Sequence, residues 1–140
     1  MTFLLDTNVI SEIRRGHDPN VAAWAQQVRE SELYLSVLTL GEIRNGIERV
    51  RRSDPDQAQR FDGWLGQLRA RFADRILGID DRTAERWGVL NAERTRNTVD
   101  CLIAATAYVH GLAIATRNTR DFEGCAVRLL NPWQPVDLAT

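Results

Sequence analysis

The sequence predicts an α/β fold in which a mainly parallel central sheet lies between two layers of helices, a three-layer α/β/α sandwich. Short apolar segments alternate along the chain with longer segments in which apolar residues recur at helical spacing. The strand-like segments are uniformly apolar, as expected when helices cover both faces of a sheet. The length of 140 residues fits one domain, and we predict a single domain over residues 1–140.

The first predicted elements are a strand and two helices. The apolar run at residues 3–5 predicts a buried strand, and the polar residues after it predict a turn that caps a helix over residues 9–15. Gly16 ends this helix. The pair Asp18-Pro19 is typical of a helix start, and the apolar stripe of the second helix continues to about Ser31.

The next elements are a strand and two longer helices. Residues 33–37 predict the second strand, because aliphatic and aromatic residues dominate this short run. Apolar residues at helical spacing predict a third helix from near Thr39 to Val50. A loop ending at Pro55 starts the fourth helix. The apolar face of that helix consists of Phe61, Trp64, Leu65 and Leu68.

The C-terminal half is predicted to contain three more strands and two more helices. The strands are the apolar runs at residues 75–79, 112–115 and 127–130. Helical spacing continues from residue 81 to about 96, and an alanine-rich helix covers residues 99–110. Thr98 is predicted to cap this last helix and Gly111 to end it. A turn at residues 131–133 precedes a short tail.

Lysine is absent, and all 18 basic residues are arginine. This excludes mechanisms built on a lysine side chain, such as Schiff-base formation and the phosphate-binding lysine of P-loop proteins. The formal net charge of −1 lacks the overall basic excess that usually marks a nucleic-acid-binding protein. The total charge alone therefore gives no support for a nucleic-acid partner.

The expected compartment follows from segments that the sequence lacks. No window is long and apolar enough for a membrane span, and the N-terminus has neither the charged nor the apolar region of a signal peptide. We therefore expect a cytoplasmic protein without a membrane partner. Cys101 and Cys125 match no metal-ligand spacing. Two cysteines permit a disulfide, but the absent secretion signal favours reduced, buried thiols.

Four acidic residues are predicted to lie near the carboxyl ends of strands, where open α/β sheets form their sites. Singly, each is explained as a turn residue, a helix cap or a complement of a helix dipole. Two carboxylates about 4 Å apart repel by about 4 kcal/mol at an effective dielectric constant of 20, so a cluster requires a cation or protonated members. Hard oxygen ligands favour Mg²⁺ or Mn²⁺. The four residues are Asp6, Glu42, Asp100 and Asp121.

Other catalytic or binding sets are weaker. The sequence contains no Gly-x-Ser-x-Gly, His-Glu-x-x-His or Gly-x-Gly-x-x-Gly motif. His110 precedes a helix-ending glycine, where an imidazolium complements the helix dipole. Two arginine-rich stretches, residues 49–52 and 69–71, are either solvated helix faces or contacts for a phosphate backbone. The tryptophans either pack in the core or stack on bases: Trp24, Trp64, Trp87 and Trp133.

Four segments, in order along nearly the whole chain, carry a resemblance to a known family. Residues 4–11, Leu-Leu-Asp-Thr-Asn-Val-Ile-Ser, resemble the opening of PIN-domain ribonucleases, and in particular of the VapC toxins of type II toxin–antitoxin pairs. Residues 36–42, 100–107 and 115–122 resemble the second, third and fourth motifs of that family. The ending Asn131-Pro132-Trp133 is similar to that of the FitB-like branch.

The resemblance implies a PIN-like α/β/α fold, Mg²⁺- or Mn²⁺-dependent RNA cleavage and a homodimer. It also implies a small antitoxin protein as partner in a hetero-oligomer, with operator DNA contacted only through that antitoxin. Metal binding and catalysis are carried onto Asp6, Glu42 and Asp100. Asp121 becomes the fourth carboxylate, because Asn118 stands where the family can carry an Asp.

The resemblance also suggests roles for polar neighbours of the carboxylates. Thr7, Asn8 and Thr116 are expected to orient the metal ligands. Asn118 is expected to lie beside the same site. Arg117 is a candidate for a contact with a substrate phosphate.

The function predicted on these grounds is that of a metal-dependent endoribonuclease toxin that a cognate antitoxin neutralises. An alternative is a PIN-like binding module that acts mainly in a DNA-bound complex with its antitoxin and has little nuclease activity. A phosphatase-like hydrolase with Asp6 as nucleophile is disfavoured, because that class needs a second Asp in the same motif and a lysine.

Overall fold

The computed structural model describes residues 1–135, so the predicted short tail at 136–140 lies outside the described residues. The sheet order is β3-β2-β1-β4-β5, and each neighbouring pair is parallel. This confirms the predicted parallel sheet. The strands are β1 (Phe3–Leu5), β2 (Leu33–Ser36), β3 (Ile76–Leu77), β4 (Ala113–Ala115) and β5 (Leu129–Leu130).

Helices connect the strands in the predicted order. Two short 3₁₀ turns, Glu30–Glu32 and Thr119–Phe122, lie in the loops before β2 and after β4. The helices are α1 (Thr7–Arg15), α2 (Pro19–Gln27), α3 (Val37–Arg51), α4 (Pro55–Arg71), α5 (Asp81–Glu93) and α6 (Thr98–His110).

Side chains of each strand point alternately to two helical layers, which confirms the three-layer sandwich. Phe3 and Leu5 pack with apolar side chains of α1 to α4. Leu4 and Ile114 point to the opposite face and pack with α5 and α6. Trp24 of α2 is 2% exposed and meets Phe3 edge to face, with ring centroids 5.3 Å apart. Two separate apolar cores therefore hold the sheet between the helical layers.

Two helices begin earlier than predicted because side chains of the preceding strand or turn cap them. The carboxylate of Asp6 accepts a hydrogen bond from the backbone of Thr7, so α1 begins two residues early. The Ser36 hydroxyl accepts a hydrogen bond from Leu38 N, so β2 ends at Ser36 and α3 begins at Val37. Both loops between strand and helix are consequently very short.

The limits of three other helices also differ from the prediction. Asn97, rather than Thr98, caps α6, because its side-chain oxygen accepts from Asp100 N. Helices α2 and α5 end earlier than predicted, where Val28 and Arg94 adopt extended backbone. Asp100 therefore occupies the third position of α6 and lies beside the cap.

The strands other than β1 are shorter than the apolar runs that predicted them. β3 ends at Leu77 because this residue pairs with Ser36, the last residue of β2. β5 consists only of Leu129 and Leu130, which pair with two residues of β4. The end of β3 is thus set by the end of its neighbour β2.

The described residues also bear on membrane association and cysteine pairing. Within residues 1–135, every helix is too short or too polar to cross a membrane. Cys101 and Cys125 are buried, free thiols, as predicted. Burial raises the pKa of both thiols, which keeps them protonated near neutral pH.

Candidate active site

The candidate site lies where the strand order reverses, between β1 and β4, at the carboxyl ends of both strands. Asp6 follows β1, and its backbone N–H donates to Ala115 O at 2.9 Å. Thr116 follows β4, and its hydroxyl donates to Asp6 Oδ2 at 2.7 Å. The other carboxylate oxygen, Oδ1, accepts from Thr7 N at 2.9 Å. The orientation of Asp6 is therefore fixed at both oxygens.

Glu42 reaches the same edge of the sheet from α3. Its Oε1 accepts a hydrogen bond of 2.7 Å from the Thr7 hydroxyl. Thr7 thus contacts two carboxylates, Asp6 through its backbone N–H and Glu42 through its side chain. The structure places Thr7 and Thr116 against predicted metal ligands, as the expected orienting role requires.

Asp100, in the first turn of α6, lies close enough to the other three carboxylates for their charges to affect its pKa. Burial raises the pKa of its carboxyl to about 6, with further contributions from the negative charges of Asp6, Asp121 and Glu42. All four predicted acidic residues therefore lie close enough to act on one another electrostatically.

Asp121 and Asn118 belong to the segment after β4. Asp121 lies in the 3₁₀ turn, and its backbone N–H donates to Asn118 O at 3.0 Å. Asn118 N donates to the Thr116 hydroxyl, also at 3.0 Å. Because that hydroxyl in turn donates to Asp6, Thr116 links this segment to the end of β1.

Arginines neutralise carboxylates elsewhere in the chain but not in this group. Arg44 and Arg51 bind Asp62 at 2.7 and 2.8 Å and also pair with Glu48. The charges that act on the Asp100 carboxyl are all negative. Three carboxylates therefore oppose the ionisation of Asp100, and among residues 1–135 no arginine forms an ion pair with any of the four.

The chemistry of this donor set fits a divalent cation. It consists of carboxylate oxygens, which are the ligands that Mg²⁺ and Mn²⁺ prefer. Among residues 1–135, no three His, Cys, Asp or Glu side chains approach closely enough to hold one ion together. The carboxylates are thus neighbours that repel, held near one another by the fold rather than by direct contact.

Most other candidates from the sequence lie away from these carboxylates. Of the arginine-rich stretches, Arg51 is paired with Glu48 and Asp62, and Arg71 is paired with Glu30. All four tryptophans pack in or against the two cores: Trp24, Trp64, Trp87 and Trp133. His110 is exposed in the last turn of α6, as its interpretation as a dipole complement requires.

Trp133 contacts a predicted site residue, Arg117. The guanidinium carbon of Arg117 lies 5.1 Å from the centroid of the Trp133 ring. Arg117 N donates to Asn8 Oδ1 at 3.4 Å, a long hydrogen bond that joins the segment after β4 to α1. Asn8 of α1 and Arg117 are therefore in contact beside the carboxyl end of β4.

Two arginines that the sequence analysis did not single out anchor the segment that carries Asp121. Arg94 and Arg96, in the loop before α6, donate to Glu123 O at 3.3 and 3.1 Å. The Arg96 side chain is only 7% exposed. Burial of an arginine is the signal of such a role, and it is visible only in the folded structure.

A groove of about 440 Å³ between α1, α2 and α4 contains none of the four carboxylates. Its lining is largely apolar and includes Ile13, Ala25, Val28 and Trp64. Charged side chains at this groove include Arg14, whose guanidinium lies over the rings of Phe61 and Trp64. The acidic site is therefore distinct from this apolar recess.

Comparison with known proteins gives consistent relatives. A family model described as the PIN domain matches residues 3–126. VapC ribonuclease Y4jK of Sinorhizobium fredii is 36% identical, over 94% of this chain and 98% of that protein. Toxin FitB of Neisseria gonorrhoeae is 33% identical, over 93% of this chain and 97% of that protein.

Solved structures agree with the sequence relatives. The crystal structure of FitAcB from Neisseria gonorrhoeae has a TM-score of 0.87 and 33% identity, and covers 95% of this chain and 99% of that one. A toxin–antitoxin complex from Klebsiella pneumoniae has a TM-score of 0.70 and 27% identity, with 96% and 100% covered. The family match and these relatives show that the chain belongs to the PIN-domain family, in the group that contains the VapC ribonucleases and the FitB toxin.

Proposed function

We propose that this chain is a Mg²⁺- or Mn²⁺-dependent endoribonuclease and the toxin of a type II toxin–antitoxin pair. The observation that carries the proposal is the group of four carboxylates, three of which help to raise the pKa of Asp100, while no arginine among residues 1–135 is paired with any of them. Relatives named VapC ribonuclease and toxin FitB support RNA as the substrate and toxicity as the role.

The divalent ion would be held by Asp6, Glu42, Asp100 and Asp121, whose carboxylates would move closer together on binding than they lie in the metal-free structure. When bound, it supplies a lowered pKa for a coordinated water and stabilises negative charge on the phosphodiester. A cation among the four carboxylates would also relieve the repulsion that raises the pKa of Asp100.

The chain's own residues orient the site and accept a proton. Thr116 holds one oxygen of Asp6, and Thr7 holds one oxygen of Glu42, so neither carboxylate has to be ordered when the substrate arrives. One carboxylate of the group accepts the proton of the attacking water, since an ionised carboxylate within hydrogen-bond reach is a general base. Asn118 adds a neutral amide beside these charges.

The proposed partner is a small antitoxin protein, in a hetero-oligomer that contains a homodimer of this chain. Similarity to the toxin–antitoxin complex from Klebsiella pneumoniae supports this assembly. Operator DNA would be contacted only through the antitoxin, and similarity to FitAB bound to a DNA fragment supports a DNA-bound assembly.

The first test is the loss of cleavage in Asp6→Asn and Asp100→Asn. Each substitution is expected to lower the rate of RNA cleavage at least about 100-fold, because it removes a charged ligand and changes the electrostatics of the site. Cleavage of total RNA by purified, antitoxin-free protein is measured with Mg²⁺, with Mn²⁺ and with EDTA. Wild-type activity is expected to disappear in EDTA and to return with either ion.

Asp74→Asn is the matched control, because Asp74 precedes β3 at the opposite end of the strands and is 86% exposed. This variant is expected to cleave as the wild type does. Circular dichroism on all variants checks that the fold is retained. Full metal-dependent cleavage by both Asp6→Asn and Asp100→Asn would sink the proposal.

The alternative function is that of a binding module with little nuclease activity. The observation that favours it is Asn118, which provides an amide where a further carboxylate would strengthen metal binding. Wild-type protein that remains inert on a broad RNA panel with Mn²⁺ would support this alternative. Turnover of small phosphate esters without RNA cleavage would instead indicate a phosphatase-like hydrolase.

A further inference from the structure

Arg117 lies in the segment after β4, next in the chain to a residue that contacts the carboxylate group. It follows Thr116, whose hydroxyl is bonded to Asp6, and its own N–H donates to Asn8 Oδ1. The backbone of Arg117 is therefore tied to the site at both ends, while its side chain is exposed.

Trp133 fixes the side chain of Arg117. The guanidinium carbon lies over the indole ring, 5.1 Å from its centroid. The backbone of Trp133 is held in place, because Trp133 O accepts from Asn20 Nδ2 at 2.7 Å and Trp133 N donates to Asn131 Oδ1 at 2.9 Å. Trp133 also packs against the core of the α1–α4 layer. A rigid aromatic face thus supports a long, flexible cation.

Arg117 forms no ion pair with another side chain among the described residues. Across residues 1–135, no carboxylate lies within ion-pair distance of its guanidinium, whereas Arg44, Arg51 and Arg71 are paired with acidic residues. A guanidinium that lies over a ring and has no carboxylate partner among residues 1–135 keeps N–H donors available. These donors match the two oxygens of a phosphate.

We infer that Arg117, supported by the ring of Trp133, binds a backbone phosphate of the RNA strand beside the cleaved bond. The inference rests on the proposed ribonuclease function. An anionic strand approaching four carboxylates is repelled, and a cation at their border gives it a fixed point of attachment. Trp133 acts as a positioning residue that holds this cation in one orientation.

Binding of a short fluorescein-labelled single-stranded RNA in EDTA tests the inference without cleavage. By fluorescence anisotropy, Arg117→Gln is expected to weaken binding about 5- to 10-fold at low salt and to reduce the slope of log K against log salt by about one. Trp133→Leu is expected to have a smaller effect in the same direction. The double variant is expected to bind no more weakly than Arg117→Gln alone, since both changes act on one contact.

Arg69→Gln is the matched control for net charge. Arg69 lies in the last turn of α4, next to the Arg71–Glu30 pair that precedes β2. It is therefore near the amino ends of the strands, opposite the carboxylate group. Its substitution is expected to change RNA affinity less than 2-fold, because salt screens exposed charges that lie more than about 10 Å from the RNA. An equal loss in Arg69→Gln and Arg117→Gln would overturn the inference, because total charge alone would then explain both.

Two further results would also overturn it. An unchanged affinity and salt slope in Arg117→Gln would exclude a phosphate contact. A larger loss of RNA affinity in Trp133→Leu than in Arg117→Gln, with the salt slope unchanged, would indicate that the ring stacks on a base instead.

In the presence of Mg²⁺, Arg117→Gln is expected to raise the KM for RNA cleavage more than it lowers kcat.

The binding and cleavage results separate this inference from the proposed function. Wild-type protein that cleaves RNA while Arg117→Gln binds RNA normally would overturn only the inference. Wild-type protein that never cleaves RNA, but loses RNA binding on Arg117→Gln, would overturn only the nuclease function.

Discussion

The carboxyl of Asp100 lies where burial and the charges of Asp6, Asp121 and Glu42 all oppose its ionisation, so its pKa rises from 3.8 to about 6. A group whose pKa is higher in the folded than in the unfolded state favours folding at low pH, and this contribution is lost as the pH rises through the folded value. Ionised Asp100 therefore destabilises the metal-free protein near neutral pH. Allowing for solvent screening of a partly exposed group, the cost is about 1–2 kcal/mol.

Asp100→Asn is expected to raise the Tm of the metal-free protein by several degrees near neutral pH. The difference is expected to vanish as the pH falls below 3.8, where Asp100 is protonated in both folded and unfolded states. Thermal unfolding in EDTA over this pH range, followed by circular dichroism, measures both effects. Mg²⁺ is expected to stabilise the wild type and not the variant. A lower Tm for Asp100→Asn than for wild type in EDTA near neutral pH would contradict the argument.

At the scale of single residues, strand and helix patterns identify the acidic group, whereas the orienting threonines Thr7 and Thr116 are expected only from the family resemblance. Asp6 and Asp100 can be found because each follows a strand-like run or opens a helix-like run. The hydroxyl contact of Thr116 with Asp6 spans 110 positions and depends on the pairing of β1 with β4. Neither residue type nor spacing encodes such a pairing. The stacking of Arg117 on Trp133 is unpredictable for the same reason.

At the scale of elements, helix limits depend on which polar side chain turns back to the backbone. Asn97 and Thr98 are both good caps, and the sequence alone favours neither clearly. In the structure Asn97 has extended backbone and accepts from Asp100 N, whereas Thr98 is already helical. The existence and order of the six helices were predictable from apolar spacing, and their ends were not.

The loop before α6 is held to the segment after β4 by the nearly buried Arg96. Its guanidinium donates to Glu123 O, two residues beyond Asp121, and Arg94 donates to the same carbonyl. The loop between α5 and α6 leads to Asp100, so this contact joins the segments that carry Asp100 and Asp121. Arg96 is therefore expected to fix the relative position of these two carboxylates.

Arg96→Met is expected to destabilise the fold by about 1–3 kcal/mol, the cost of removing a hydrogen-bonded buried side chain and leaving part of its site unfilled. It is also expected to raise the Mg²⁺ concentration needed for half-maximal cleavage. Urea unfolding and a Mg²⁺ titration of RNA cleavage give the two values. Arg94→Gln is the control, because Arg94 is exposed and contacts the same carbonyl at a longer distance. Equal Mg²⁺ requirements for the two variants would argue against the role of Arg96.

At the scale of the whole molecule, the uniformly apolar strand runs were sufficient to predict helices on both faces of the sheet. Phe3, Leu4 and Leu5 are all buried, although they point to two different cores. The lengths of the edge strands were not predictable, because the hydrogen-bonded part of β3 is set by where β2 turns into α3. Strand order was not predicted, since long-range pairing leaves no local pattern in the sequence.

The net charge of −1 hides a separation of charge that matters for RNA binding. Four of the 19 acidic residues form one group, and without them the balance is +3, 18 arginines against 15 acidic residues. Part of the remaining charge is paired internally, as in the Arg44, Arg51, Glu48 and Asp62 network. Because screening limits exposed charges to about 10 Å at 0.1 M salt, location rather than the total is expected to govern binding.

Asp100→Asn is therefore expected to tighten RNA binding in EDTA more than Asp74→Asn does, although both remove one negative charge. Asp100 lies at the carboxyl ends of the strands, where the RNA would approach. Asp74 lies before β3, at the amino ends of the strands, and is 86% exposed. Anisotropy of the labelled RNA at low salt is expected to show about a 3- to 10-fold gain for Asp100→Asn and less than about 2-fold for Asp74→Asn. Higher salt is expected to reduce both gains. Equal gains would mean that total charge governs the interaction.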